Sequence, residues 1–234
     1  MVRLRRFLVL ALLPALAACG NQGPVAKSKG EAYFRGYGCV KCHRIGEEGG
    51  DWGPDLTMVG FRKTPQWLAL WIENPHAWRA KTIMPNFHLP EDIRTDLVAY
   101  LSEQKGQAWA KSGRPWQHAD LKGDELKRGE TLFNNAGCVS CHGAKGTGGY
   151  PNNNVIGGAI PTLTKVSEGY TKEELMEKIR GGVTPAAEDP SLPAPMISMP
   201  KWGEVLDHEE LEAVASYLIS LAPKKSGQAS KDSW

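Results

Sequence analysis

Apolar positions recur at helical spacing in both halves of the chain. Trp67, Leu68, Trp71 and Ile72 share one face of a segment that Thr64 can cap and Pro65 can open, and that must stop before Pro75. Leu175 and Ile179 do the same in a segment that begins at Thr171, with Glu174 as its capping-box partner, and ends at Gly181 and Gly182. Each half then closes on a longer amphipathic helix. The first covers about 90–103 with Ile93, Leu97, Tyr100 and Leu101 inward, the second about 207–221 with Leu211, Val214, Tyr217 and Leu218 inward. Ser28 with Glu31 opens an earlier helix as a capping box, and a matching helix starts near Asp124. Short helices joined by loops rich in glycine and proline predict an all-α fold.

The helices repeat because the chain repeats. Gly30-Glu31 and Phe34 precede Cys39-Val40-Lys41-Cys42-His43, and Gly129-Glu130 and Phe133 precede Cys138-Val139-Ser140-Cys141-His142, at a constant offset of 99 residues. Gly38 and Gly137 match as well. The repeat divides 234 residues into two domains, each of roughly a hundred residues.

A C-x-x-C-H run reads as a covalent attachment site for c-type haem. Its two thiols can each add to one vinyl group of the porphyrin, and the histidine then lies under the iron as proximal ligand. Cys39, Cys42 and His43 make one such set, and Cys138, Cys141 and His142 the other. Structural zinc is the rival reading, since two half-sites could pair through four thiolates or through two thiolates and two imidazoles. Neither pairing accounts for the repeated Gly-Glu and Phe upstream. Two covalently bound haem c groups, with iron, are therefore expected.

Composition changes this picture mainly at the amino terminus. Residues 1–18 carry Arg3, Arg5 and Arg6, an apolar run from Phe7 and small residues before Cys19, the pattern of a secretory signal too short for a spanning helix. Leu16-Ala17-Ala18-Cys19 resembles the bacterial lipobox, which implies cleavage before Cys19 and its acylation, with several acyl chains anchoring stably. An ordinary signal peptide with a stray cysteine is the alternative. Of five cysteines four serve haem, and Cys19 is left over. Gly20 in place of an aspartate leans the resemblance toward the outer membrane.

Without 1–18 the net charge of +2 becomes −1, from 25 basic and 26 acidic side chains, and nothing points to nucleic acid. Residues 29–110 carry ten charges of each sign, whereas 120–222 carry nine basic and fifteen acidic. Either the acidic helix faces are simply solvated, or the two domains dock on differently charged partners. The expected division is signal 1–18, tether 19–28, first domain 29–104, linker 105–123, second domain 124–222 and a disordered tail 223–234. Trp109 and Trp116 suggest that the linker packs on a domain.

Taken together, each half resembles a class I cytochrome c domain: Gly and Phe upstream, C-x-x-C-H, a following proline, a Met-Pro pair, then a helix bearing an aromatic. The resemblance covers 29–104 and 124–222. It implies that the first and last helices of each half cross, with Gly30 and Phe34 meeting Tyr100, and Gly129 and Phe133 meeting Tyr217. It also implies that the carbonyls of Pro54 and Pro161 accept the Nδ1–H of His43 and His142.

The sixth ligand separates carriers from enzymes, because a thioether raises the potential and fills the last coordination position. Met84, before Pro85, is the candidate in the first half, 16 residues before Tyr100. Met199, before Pro200 and 18 residues before Tyr217, is favoured in the second over Met196, which lies 21 before. His76, His88, His118 and His208 have no matching positions in the two halves and read as surface residues. Met58 and Met176 read as core, and Trp52 and Trp202 as candidate donors to haem propionates.

The resulting expectation is a non-enzymatic diheme cytochrome on the periplasmic side of a bacterial membrane. It would pass single electrons between a redox protein donor and acceptor, with a membrane respiratory complex among the candidate partners. The rivals are a diheme peroxidase or sulfur-compound dehydrogenase, and a fixed subunit of a respiratory complex. A sulfur dehydrogenase of that type needs a cysteine axial ligand, and none remains here.

Overall fold

The computed structural model describes residues 26–110 and 112–223; the signal, Cys19 and nearly all of the tail expected at 223–234 lie outside the described residues. Among those residues the chain is helical, apart from one short hairpin, Arg44–Ile45 with Glu48–Gly49, and two isolated bridges. The first half holds α1 (Lys29–Gly36), α2 (Val59–Arg62), α3 (Pro65–Glu73), α4 (Pro75–Trp78) and α5 (Glu91–Ser102). The second holds α6 (Glu125–Asn135), α7 (Val139–His142), α8 (Lys172–Gly181) and α9 (His208–Ser220).

Local chemistry sets most of these bounds. Thr64 Oγ1 accepts from the Trp67 amide at 3.2 Å ahead of Pro65, and Thr171 and Glu174 form a reciprocal capping box. Asp124 caps α6 by accepting from the Lys127 amide at 3.0 Å. At α1 only half of the expected box forms. Ser28 Oγ accepts from the Glu31 amide, but the Glu31 carboxylate turns to the Lys27 amide at 2.8 Å. Past α3 the chain does not stay open: Asn74 caps a further turn that Pro75 begins.

Each domain is organised on one helix crossing. A Cβ on Gly30 would lie 2.1 Å from the Asp96 carbonyl oxygen, and one on Gly129 would lie 2.0 Å from that of Ala213. At these two points backbone meets backbone, so only glycine fits. One turn on, Phe34 packs on Tyr100 with ring centroids 5.7 Å apart, and Phe133 on Tyr217 at 5.5 Å. Replacing Gly129 with alanine is expected to destabilise the second domain by about 3 kcal/mol. Forced separation of two helices outweighs alanine's better helix propensity of about 1 kcal/mol. Denaturant unfolding of the haem-loaded protein measures it, and an unchanged midpoint would contradict the crossing.

The segment expected as a linker packs on the second domain. Trp116 is 1 % exposed and Trp109 5 %, and their rings meet edge to face at 5.0 Å. Glu210, in the first turn of α9, is fully buried. Its carboxylate accepts from Trp116 Nε1 at 2.6 Å, Gln117 Nε2 at 2.7 Å and Arg114 Nη1 at 2.8 Å. Three donors on one carboxylate fasten 114–117 to the second domain.

The two cores also exchange side chains. Met58 and Phe61, flanking and within α2, pack with the second core, Phe61 meeting Trp202 at 5.2 Å; Ile197 is buried with the first core. The domains therefore meet across a shared seam.

Candidate functional site

In the first half α1 ends at Tyr37, and Gly38, at φ +75°, turns the chain into a tight helical turn over Cys39–Lys41. His43 Nδ1 lies 2.9 Å from the Pro54 carbonyl oxygen, which fixes the N–H on Nδ1 and leaves the lone pair of Nε2 free. Gly53 passes directly beneath the ring: a Cβ there would sit 2.5 Å from His43 Cε1. Burial lowers the His43 pKa below its ordinary value, favouring the neutral imidazole that a metal requires. The Cys39 and Cys42 thiols are free, Cys42 at the surface, and burial pushes the Cys39 thiol up.

Met84 is held by a residue that sequence reasoning assigned only to the core. Trp71 Nε1 donates to Met84 Sδ at 3.0 Å, and the Trp71 ring stacks on Trp67 with centroids 5.2 Å apart and planes 12° apart. A thioether sulfur has two lone pairs, so Sδ can accept this bond and still bind iron. The bond draws electron density from the sulfur and weakens its donation to ferric iron. Trp71→Phe is therefore expected to lower the first haem's potential by on the order of tens of millivolts, the worth of one modest hydrogen bond in a one-electron couple. Redox titration reads it, and a rise would contradict the assignment.

The second half departs from this plan at its histidine. His142 Nδ1 is buried without a hydrogen-bond partner, so the bond expected to the Pro161 carbonyl is not made. The cause is loop length: ten residues separate His43 from Pro54, but eighteen separate His142 from Pro161. The longer loop closes on itself instead. The Gly148 amide donates to the His142 carbonyl at 2.7 Å, Gly149 and Ile160, Tyr150 and Ile160 pair through their backbones, and the Pro161 carbonyl faces Gly148. Burial, aided by the Lys63 charge, brings the His142 imidazole down to about 4, and burial pushes the Cys138 thiol up to about 12.

The Asn152-Asn153-Asn154 run fastens this loop to the methionine segment. Asn152 exchanges two bonds with the Ile197 backbone, Asn153 Oδ1 accepts from the Met196 amide at 2.8 Å, and Asn154 holds Asp189 and Pro193. Met199 exchanges paired backbone bonds with Val183 and packs beside the cluster that includes Cys138, Val139 and Leu163. Met196 packs with the other cluster, which also takes in Cys141, Tyr150 and Ile160 of the second half. Each of the two methionines thus packs in the cluster of one of the second site's two cysteines.

Other candidates fall away. His76, His88, His118 and His208 are all exposed. Trp52 is 79 % exposed and Trp202 is packed on Phe61, whereas the buried indole nitrogen without a partner is that of Trp67.

This donor set fits haem c. Each loop offers two free thiols and one imidazole, and among the described residues no three of His, Cys, Asp and Glu converge as a bare ion would need. No described helix is long and apolar enough to cross a membrane.

Comparison with known proteins agrees with this reading. The Cytochrome c family model matches residues 28–105 and again 126–222. No curated protein matches the chain. Among solved structures, a chain of the Kuenenia stuttgartiensis reducing HAO-like protein complex is similar at 15% identity, covering 86% of this chain and 98% of that one, with a TM-score of 0.30. So loose a superposition leaves the weight on the family match.

Proposed function

The chain belongs to the cytochrome c family, as a tandem diheme class I member, and from that premise we propose that it carries single electrons between redox partners at a membrane surface in the periplasm. Haem c supplies a one-electron couple when bound; this chain supplies its tethers, its axial groups and its burial. The free thiols of Cys39 and Cys42 would hold one ring and those of Cys138 and Cys141 the other. His43, oriented by the Pro54 carbonyl, would offer Nε2 to the first iron, and Met84, held by Trp71, would offer its sulfur. His142 and Met199 take these parts in the second half. The carrier reading rests above all on the Trp71–Met84 bond, because a sulfur held in place would keep small ligands from the first iron.

The test is carbon monoxide added to the reduced protein during a redox titration. Slow or absent binding at both haems, with two one-electron steps, is the expected result. Rapid stoichiometric binding at either haem would replace the carrier with an enzyme. Membrane attachment through an acylated Cys19 is part of the proposal, with the outer membrane favoured by Gly20. A labelled fatty acid supplied to the cells should appear on the mature protein and not on Cys19→Ser, and an unlabelled mature protein would refute the anchor. Co-purification in mild detergent separates a free carrier from a fixed subunit of a respiratory complex.

A further inference from the structure

Between the two attachment loops lies a pair of buried cations that the carrier role does not use. Arg62 ends α2 and Lys63 follows it, each 8 % exposed. Both reach out of the first domain into the second. Arg62 Nη1 donates to the Gly137 carbonyl at 3.1 Å and to Ser140 Oγ at 2.5 Å, while Nη2 donates to the Asp55 carbonyl at 2.7 Å. Lys63 Nζ lies 3.3 Å from Cys141 Sγ, 4.2 Å from the Trp67 ring centroid and 5.3 Å from that of Tyr150.

Neither cation has a carboxylate within ion-pair distance among the described residues. Asp55 is the acidic side chain nearest Arg62 in charge terms, and its Oδ1 is taken by the Thr57 amide at 2.7 Å. Arg79 adds a third positive group on Tyr150, 5.9 Å from its ring. Buried Arg62 Nε has no partner at all. Burying unpaired charge is costly, and burial lowers the pKa of both side chains, yet each keeps hydrogen-bond or ring-face contacts that favour its charged form.

That charge is placed unequally. Lys63 touches the sulfur that bonds the second porphyrin. Toward the first site its contacts are with ring faces, Trp67 at 4.2 Å and Tyr150 at 5.3 Å, and both rings pack on Trp71, which holds Met84. Ferrous haem carries one positive charge less than ferric haem, so a nearby buried cation favours the reduced state.

We propose that Arg62 and Lys63 are positioning residues that raise the reduction potential of the second haem above the level its own ligands would set. With both haems bound, an electron on the first would be drawn to the second: the first iron would be oxidised and the second reduced by one electron, with no bond or proton moved. The inference rests on the diheme reading above. Its test keeps the two apart, because haem count and reducibility are read in the same samples as the potentials.

The experiment is a redox titration of full-length, haem-loaded Lys63→Met and Lys63→Arg, with the first-haem step identified by a Met84→His variant. Lys63→Met should lower the second-haem equilibrium about tenfold, which is 59 mV for one electron, and leave the first within threefold. Lys63→Arg should restore it. If Lys63→Met fails to mature, Lys63→Gln gives the same reading. Equal movement of both steps, no movement, or failure of arginine to restore the step would overturn the inference. Two reducible haems per chain in those same samples would leave the carrier role standing.

Discussion

Replacing Cys138 and Cys141 together with alanine should cut covalently bound haem from two rings per chain to one. The remaining ring stays on Cys39 and Cys42 and remains reducible. The argument is one of connectivity. Cys138 opens the turn that α7 continues and Cys141 lies within it, and no other described cysteine belongs to the second half. The first core, with Phe34, Trp67, Leu68, Leu97 and Leu101, forms around its own helix crossing and loses only the contacts at the seam. The second domain should suffer far more, because Cys138 and Val139 pack directly against the core built from α6, α8 and α9, so losing the ring tethered there removes contacts from that core. Loss of several kcal/mol is expected there, the scale of removing two or more large core side chains. Intact mass after extraction of non-covalent haem, with iron counted per chain, reads the result. Unchanged haem content would refute the attachment site, and zinc in place of iron would refute the haem reading itself.

Most helices were legible because their ends are set by short-range chemistry. Thr64-Pro65, Thr171 with Glu174 and Asp124 each place a cap that tertiary contacts do not override. The glycines at 30 and 129 were legible through the repeat, which carries the crossing along with the thiols. What was hidden depended on groups far apart in sequence. Arg62 and Lys63 look like an ordinary charged helix end, and only the docking of the halves turns them inward, 75 to 78 residues from their partners. The Pro161 expectation failed for a related reason. Equivalence with Pro54 was read from sequence order, while the reach of a carbonyl depends on the loop between, and that loop closes on its own backbone. Glu210 could have been suspected as a capping-box glutamate, but its three side-chain donors come from 114–117.

Met84→Ala should convert the first haem from a carrier site into one that binds small ligands. Three readouts should move together. The weak sulfur-to-iron absorption should fall to that of a single haem, and carbon monoxide should bind one haem per chain. The first-haem potential should drop by on the order of 0.2 V, a fraction of the roughly 0.8 V that axial ligands command. The physical cause is the loss of a soft donor that favours ferrous iron, together with entry of water to the vacated position. The change also strands Trp71 Nε1, whose bond goes to Met84 Sδ, at a stability cost of about 1–3 kcal/mol if the indole finds no water. Comparing Met196→Ala with Met199→Ala carries the same logic into the second half. Met199 precedes Pro200, as Met84 precedes Pro85, and is pinned to Val183, so its loss should open the second haem while that of Met196 should not. Should Met84→Ala leave absorption and potential where they were, the first iron takes its sixth ligand elsewhere, and the Trp71 bond marks only a packed sulfur.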